Sequence, residues 1–371
     1  LWPKEGVDFT GKRVGVIGTG SSGVQMMPHI AAQAEHLTVF QRTANFSLPA
    51  RNAPLDPEKE RKHKEEYKER RIAAYSTPFG IAGYPPPVKS ALEATEEERQ
   101  AIYESKWQEG GSISYLFAYK DLLLNKSAND TASEFVRNKI RETVNDPATA
   151  ELLCPDNHPI GTKRLILDSQ YYEIFNQANV DLVDVRSAPI QEITENGIKT
   201  TDNEYELDAI AFATGFDAMT GAMKEINISV DGGTNIEEQW GDGPQTYLGL
   251  MVARLPNMFM VTGPQSPGVK SQMILSIEWH VNWIAECLAH MMNSNHTRVM
   301  AKDDAQRRWV DHVREVANST LYPLANSWYM GANIPGKPRV FMPYVAGVEA
   351  YTKECNRIVE EGYEGFEFST K

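Results

Sequence analysis

Gly18-Thr19-Gly20-Ser21-Ser22-Gly23 follows the apolar run Val14-Gly15-Val16-Ile17, and an amphipathic helical pattern begins directly after it. Strand, glycine turn and helix in that order are what a G-x-G-x-x-G dinucleotide-binding unit requires. The first glycine allows the tight turn, the second lets a pyrophosphate approach the backbone, and the third lets helix and strand pack closely. The N–H groups at the helix start then face phosphate oxygens. A second strand, Leu37 to Gln41, ends in Arg42-Thr43 where an NAD-selective protein usually places Asp or Glu. A guanidinium there favours a 2′-phosphate through charge-assisted, bidentate bonds. The expected cofactor is NADP(H), with a structural arginine as the plain alternative.

The rest of the composition narrows the classes of function. The 371 residues suffice for two or three domains. A formal charge of −13 disfavours a nucleic-acid or anionic-membrane partner, since both need a basic surface. No apolar run approaches the roughly 20 residues of a membrane span, and no signal-peptide pattern opens the chain. The cysteines, Cys154, Cys287 and Cys355, form no CxxC. That pattern argues against a disulfide framework, a zinc site or a redox dithiol, and makes a reducing cytoplasm the expected location. The histidines lack the H-x-x-x-H and H-E-x-x-H spacings, so no metal site is expected.

The elements that must position the glycine turn read as follows. Residues 1–55 begin an NADP-binding α/β domain, and residues 56–158 read as an all-helical insertion. Its markers are Asp56-Pro57, the capping box Thr95-x-x-Glu98, a helical apolar stripe from Ala132 to Val144, and Asp146-Pro147. Residues 159–215 return to α/β character, with strands expected at Arg164–Leu167, Asp181–Val185, Pro189–Ile193 and Ile198–Thr200. A helix is expected around Tyr171–Gln177. The apolar run Leu207–Gly215 suits a buried parallel strand. Residues 216–371 should carry strands at Tyr247–Met251 and Met258–Thr262. They should also carry a helix whose buried face is Met273, Ile277, Val281, Ile284, Leu288 and Met291, and two further helices near Asp303–Leu321 and Ala346–Glu361.

Several segments, in order, resemble type I Baeyer–Villiger monooxygenases, most nearly the phenylacetone and steroid monooxygenases. They are Lys12 to Gln25, Phe40-Gln41-Arg42-Thr43, Gly161-Thr162-Lys163-Arg164, Ala213-Thr214-Gly215-Phe216-Asp217, Gly263-Pro264-Gln265-Ser266-Pro267 and Ser327 to Lys337. Trp2-Pro3 fits the end of that family's fingerprint F-x-G-x-x-x-H-x-x-x-W-P. The resemblance then implies that the fingerprint's Phe, Gly and His, and an FAD-binding βαβ half, would precede Leu1. It implies a flavoprotein of two dinucleotide-binding domains. This chain would give the Rossmann-like NADP domain, the helical insertion and the C-terminal part of the FAD domain, 216–371.

The resemblance also implies a reaction and a set of residues. Family members use NADPH to reduce FAD, which captures O₂ as a flavin C4a-peroxide; the peroxide attacks a ketone, and the adduct rearranges to an ester or lactone. Arg164 would be the catalytic arginine, stabilising the peroxide and the tetrahedral adduct. Gly18, Thr19, Gly20, Ser21, Ser22, Gly23, Val24 and Gln25 would hold the cofactor. Lys163, Arg42 and Thr43 would meet its 2′-phosphate. Trp328 would be a mobile-loop tryptophan over NADP, and Met273 would contact flavin and substrate. Pro267 to Ser271 falls where the family lines its ketone pocket, and Lys270 is unexpected there. Two alternatives stay open: an N- or S-oxidising flavin monooxygenase, argued against by the Arg164 segment and Trp2-Pro3, and a non-catalytic NADP-binding fragment. The partners implied are a small ketone and O₂, together with the FAD half.

Overall fold

The computed structural model describes residues 2–370 except 230–232 and 234, so Leu1 lies outside the described residues. The chain forms two compact units, residues 1–53 with 87–215 and residues 54–86 with 216–371. The single helical stretch expected at 56–158 is thus divided between them.

The first unit begins with β1 (Arg13–Ile17), α1 (Ser21–Ala31), β2 (His36–Gln41) and β3 (Ser47–Pro49). Two helices assigned to the second unit follow, α2 (Pro57–Glu65) and α3 (Tyr67–Tyr75). The first unit resumes with α4 (Glu96–Glu109), α5 (Ser112–Leu116), α6 (Lys126–Thr143) and α7 (Pro147–Leu153), then β4 (Ile166–Asp168) and β5 (Val180–Asp184). It ends with β6 (Ile190–Thr194), β7 (Gly197–Thr200), β8 (Glu204–Glu206) and β9 (Ala209–Phe212). β5, β2, β1 and β9 lie side by side in that order, all parallel. This is the 3-2-1-4 order of a dinucleotide-binding half-sheet. Val14, Val16, Leu37 and Val39 are fully buried, the near-continuous apolar strand expected of a sheet covered on both faces.

The helices of the first unit leave from β3 and return through β4. The two short strands pair in parallel, Ser47 opposite Ile166 and Leu48 opposite Leu167. The Ser47 hydroxyl bonds the Asp168 carboxylate at the base of this excursion. The expected caps form: Thr95 and Glu98 make a reciprocal capping box, and Asp56 and Asp146 cap helices that begin with proline.

The second unit contains α2, α3, α8 (Gly221–Glu225), α9 (Ile236–Gln239), α10 (Met273–Asn293), β10 (Arg298–Ala301), α11 (Asp303–Asn318), α12 (Val348–Glu360) and β11 (Phe366–Ser369). Its largest core gathers Trp283, Cys287, Trp309, Tyr351, Cys355 and Ile358.

Four sequence expectations need correction. Tyr247–Met251 is no strand: Leu248 and Gly249 both take left-handed φ, and the Tyr247 N–H returns to the Met251 carbonyl at 2.8 Å. Residues 258–262 form no ladder either, their Met260 N–H bonding the Leu250 carbonyl instead. Around Tyr171–Gln177 only a short 3₁₀ turn, Glu173–Asn176, forms. The buried face of α10 is Leu275, Ser276, His280, Trp283, Cys287 and Met291, while Met273, Val281 and Leu288 are exposed. The polar members of that face are tolerated because they are bonded: Ser276 to Ser271 Oγ, His280 to the Thr262 N–H and Tyr351 hydroxyl.

Candidate functional site

The glycine turn leaves the C-terminal end of β1 and opens α1. Gly18 has φ +106°, and a Cβ there would stand 2.5 Å from the Ala213 carbonyl oxygen on the chain leaving β9. A Cβ on Gly23 would lie 2.2 Å from the Gly18 oxygen. A Cβ on Gly20 would meet nothing within 4 Å, so open space faces the glycine whose role is to let a phosphate approach. No side chain caps α1, and its first turn carries no acid. The N–H groups of Ser21, Ser22 and Gly23 are therefore available to an anion, since a helix cannot pair its own first donors. The Thr19 hydroxyl donates to the Thr43 carbonyl at 2.8 Å and Asn45 Nδ2 to the Thr19 carbonyl at 2.7 Å, which fixes the turn against the segment after β2.

Two predicted loop members are occupied by structure. The Val24 side chain is in the core, and its N–H bonds the Gly20 carbonyl in the helix ladder. Gln25 Nε2 donates to the Leu167 carbonyl at 2.9 Å, tying α1 to β4.

β4 matters because Lys163 and Arg164 stand just before it. The backbone reaches them through Gly161, whose φ is +83° and whose absent Cβ would sit 2.7 Å from Leu116 Cδ2. Asn129, fully buried on α6, secures this turn. Its Nδ2 donates to the Leu122 and Ile160 carbonyls at 2.7 and 2.9 Å, and its Oδ1 accepts from the Ile160 N–H at 2.9 Å and from Ser133 Oγ at 3.0 Å. Sequence reading missed Asn129; the signal was an asparagine beside Ala128 and Ala132 on the apolar stripe of α6.

Lys163 is half-buried, and its ammonium is pushed down to about 8 by burial and then by the nearby Arg42 guanidinium. Arg42 and Lys163, from separate segments, thus lie close enough for their charges to act on each other. Burial and then Lys163 also push the neighbouring His158 down to about 3, so that imidazole is neutral. Arg42 and Arg164 are exposed, and neither they nor Lys163 makes a hydrogen bond or ion pair with any described residue. Among the described residues these three cations have no protein partner, and Lys163 and Arg42 lie within electrostatic reach of each other. The open space at Gly20, the free helix N–H groups and these cations fit NADP(H).

The second unit carries the remaining predicted residues. Met273 begins α10 at the protein surface. Trp328, half-buried, opens the 3₁₀ turn Trp328–Met330, with its ring centroid 4.2 Å from that of Tyr329. The loop that follows is anchored at its end, where Lys337 Nζ pairs with Asp217 and donates to the Ala218 carbonyl at 3.0 Å. Asn333 Nδ2 also donates to the Phe216 carbonyl at 3.0 Å. Gln265, in the Gly263–Pro267 segment, is buried, and its Oε1 accepts from the Thr246 N–H and hydroxyl. Among the described residues no cluster of three or more His, Cys, Asp or Glu could hold a metal, and no helix is long and apolar enough to cross a membrane.

A scan against protein-family models finds no match. The chain is 40% identical to cyclopentanone 1,2-monooxygenase of Comamonas sp. (strain NCIMB 9872), spanning all of this chain and 68% of that protein. It is also 40% identical to cyclohexanone 1,2-monooxygenase of Acinetobacter sp., over 99% of this chain and 67% of the relative. A phenazine N-monooxygenase of Lysobacter antibioticus is 36% identical over 98% of this chain and 67% of its own length. Among solved structures, oxidized steroid monooxygenase bound to NADP superposes with a TM-score of 0.93 at 47% identity, covering 100% of this chain and 69% of that one. The chain therefore spans about two thirds of the length of its relatives, and it belongs to the Baeyer–Villiger monooxygenases, the NADPH- and O₂-dependent flavin enzymes that convert ketones to esters or lactones.

Proposed function

We propose that this chain is the NADP-binding and ketone-facing part of such an enzyme, with Arg164 as its catalytic residue. The three unpaired cations Arg42, Lys163 and Arg164 beside an uncapped, glycine-opened helix carry the reading. Arg42, Lys163 and Thr43 hold the 2′-phosphate, the N–H groups of Ser21 to Gly23 hold the pyrophosphate, and Trp328 covers the cofactor. Met273 borders flavin and substrate. NADPH supplies a hydride when bound, and the flavin supplies activated oxygen. As the ketone becomes tetrahedral, negative charge grows on its carbonyl oxygen. A guanidinium suits that task because it stays charged when desolvated.

The substrates are a small ketone and O₂, and the acidic surface disfavours nucleic acid. The chain completes its site with the flavin-binding part that accounts for the rest of its relatives' length. Three free, buried cysteines fit a reducing cytoplasm.

In the flavin-loaded enzyme, Arg164→Ala should still bind NADPH while ester formation falls by about two to three orders of magnitude. Arg164→Lys should recover little, because an ammonium cannot reproduce the planar fork. Stopped-flow separation of flavin reduction from ester formation checks this, and an alanine variant that makes ester at the parent rate returns Arg164 to a strand-edge role. The N-oxidising relative supports a second reading, a nitrogen substrate at the same site. Product analysis with matched ketone and aromatic amine distinguishes the two.

A further inference from the structure

Lys270 is a cation in a segment that the resemblance places at the ketone pocket, and its surroundings are specific. It ends the 3₁₀ turn Gly268–Lys270 just before α10. Its Nζ lies 4.2 Å from the ring centroid of Tyr322 and 4.5 Å from that of Tyr329. The two rings meet edge to face at 6.1 Å, both are buried, and Phe341 packs on Tyr322 at 5.2 Å and on Tyr329 at 6.2 Å. Burial pushes the Tyr322 hydroxyl up, so that ring is a neutral π-face and not a phenolate. Tyr329 is in turn packed on Trp328, and its carbonyl is held by the Met342 N–H at 2.9 Å. One ammonium thus bridges the 267–271 segment to an aromatic shelf that ends in Trp328.

We infer that Lys270 is a positioning residue, a cation–π clip that holds the 267–271 segment against Tyr322 and Tyr329 and thereby orients the Trp328 indole over NADP(H). The clip adds to the backbone path from Gln265 through Met342 to Tyr329, in which the Gln265 N–H bonds the Met342 carbonyl at 2.6 Å. A methionine of similar length would fill the same space without attracting either ring, whereas an arginine would keep the attraction. The inference rests on the reading that Trp328 covers the cofactor, so the test separates the two.

The experiment measures NADP⁺ dissociation constants by calorimetry on the flavin-loaded enzyme, with the fluorescence contributed by Trp328 taken as the difference from Trp328→Ala. Lys270→Met should raise the NADP⁺ dissociation constant by about threefold to tenfold and alter the Trp328 signal. Lys270→Arg should remain within about twofold of the parent. In the Trp328→Ala background, Lys270→Met should have no further effect, as expected when one residue acts through the other. Lys270→Gln serves as a second neutral variant if the methionine form does not fold. An unchanged dissociation constant and an unchanged Trp328 signal in Lys270→Met overturn the clip. So does an effect of Lys270→Met confined to the KM of ketones bearing a carboxylate, which would make Lys270 a substrate contact. A Trp328→Ala variant with parental NADP⁺ affinity, alongside a Lys270-dependent Trp328 signal, removes the cofactor-loop reading and leaves the clip standing.

Discussion

Arg42 and Lys163 come from separate segments of the chain, and the 2′-phosphate role proposed for each can be tested alone. Arg42 follows β2 with no partner among the described residues, so its contribution should appear only when a 2′-phosphate is present. Arg42→Ala should cost about 1.5–3 kcal/mol of NADPH recognition, roughly tenfold or more, and leave NADH use little changed. Comparing kcat/KM for the two nucleotides checks this, and equal NADH and NADPH efficiencies in the parent enzyme contradict the assignment. Lys163 adds a pH signature. Its ammonium is pushed down to about 8, so the free protein loses that charge as pH rises through about 8. NADPH affinity should therefore fall above that pH while NADH affinity stays flat, a difference that titration at pH 7 and pH 9 resolves. Parallel pH profiles for both nucleotides would show that Lys163 does not meet the phosphate.

At the scale of elements, the signals that proved legible are local ones. The glycine turn, the proline-started helices with their aspartate caps, and the Thr95–Glu98 box each encode their structure within a few residues. The parallel strand after Leu207 was readable from its apolar run, although Phe212 at its end is exposed. What was not legible depends on partners distant in sequence. The α10 face turned out rotated because His280 is buried through bonds to Thr262 and Tyr351, which no helical periodicity reports. Residues 247–251 fold back because Leu248 adopts a left-handed φ that its side chain does not advertise. In the site, Gly161-Thr162-Lys163-Arg164 was recognisable, but its support by Asn129 was not. Asn129→Leu should strand the Leu122 and Ile160 carbonyls and leave the Ile160 N–H only the Ser133 Oγ contact at 3.3 Å, costing about 2–4 kcal/mol, and should weaken NADPH binding by loosening the Lys163 turn. A thermal melt and a binding titration check both, and parental values for the pair would show the turn is held otherwise. Buried neutral histidines give α10 and the Phe46–His158 contact an acid limit. Burial holds His280 down to about 4 and His158, with Lys163 adding to the effect, down to about 3. Below the unfolded value near 6.5 the unfolded chain takes up protons that the folded chain refuses, so stability is complete above that pH and lost as pH falls toward 4. From pH 6.5 to 5 each histidine should cost about 2 kcal/mol, and urea midpoints that do not fall between pH 7 and 5 would contradict their buried neutral state.

In the second unit α10 carries an exposed apolar row. Ile274, Val281, Leu288 and Met292 form an exposed row along α10, Met292 being 77% accessible. A row of that kind on a chain spanning two thirds of its relatives suits contact with the flavin-binding part. The 371-residue chain should then self-associate with concentration. Ile274→Glu with Leu288→Glu should reduce that association in sedimentation velocity, and a monomeric preparation would show the row is not an interface. In the reaction proposed for this enzyme, ketone, O₂, NADPH and a proton give ester, water and NADP⁺. The most direct test supplies the flavin-loaded enzyme with NADPH, a small ketone and ¹⁸O₂, and examines the product by mass spectrometry. The account predicts an ester carrying one ¹⁸O atom, formed in proportion to NADPH consumed. NADPH consumption that leaves the ketone intact, or a product without ¹⁸O, would contradict it.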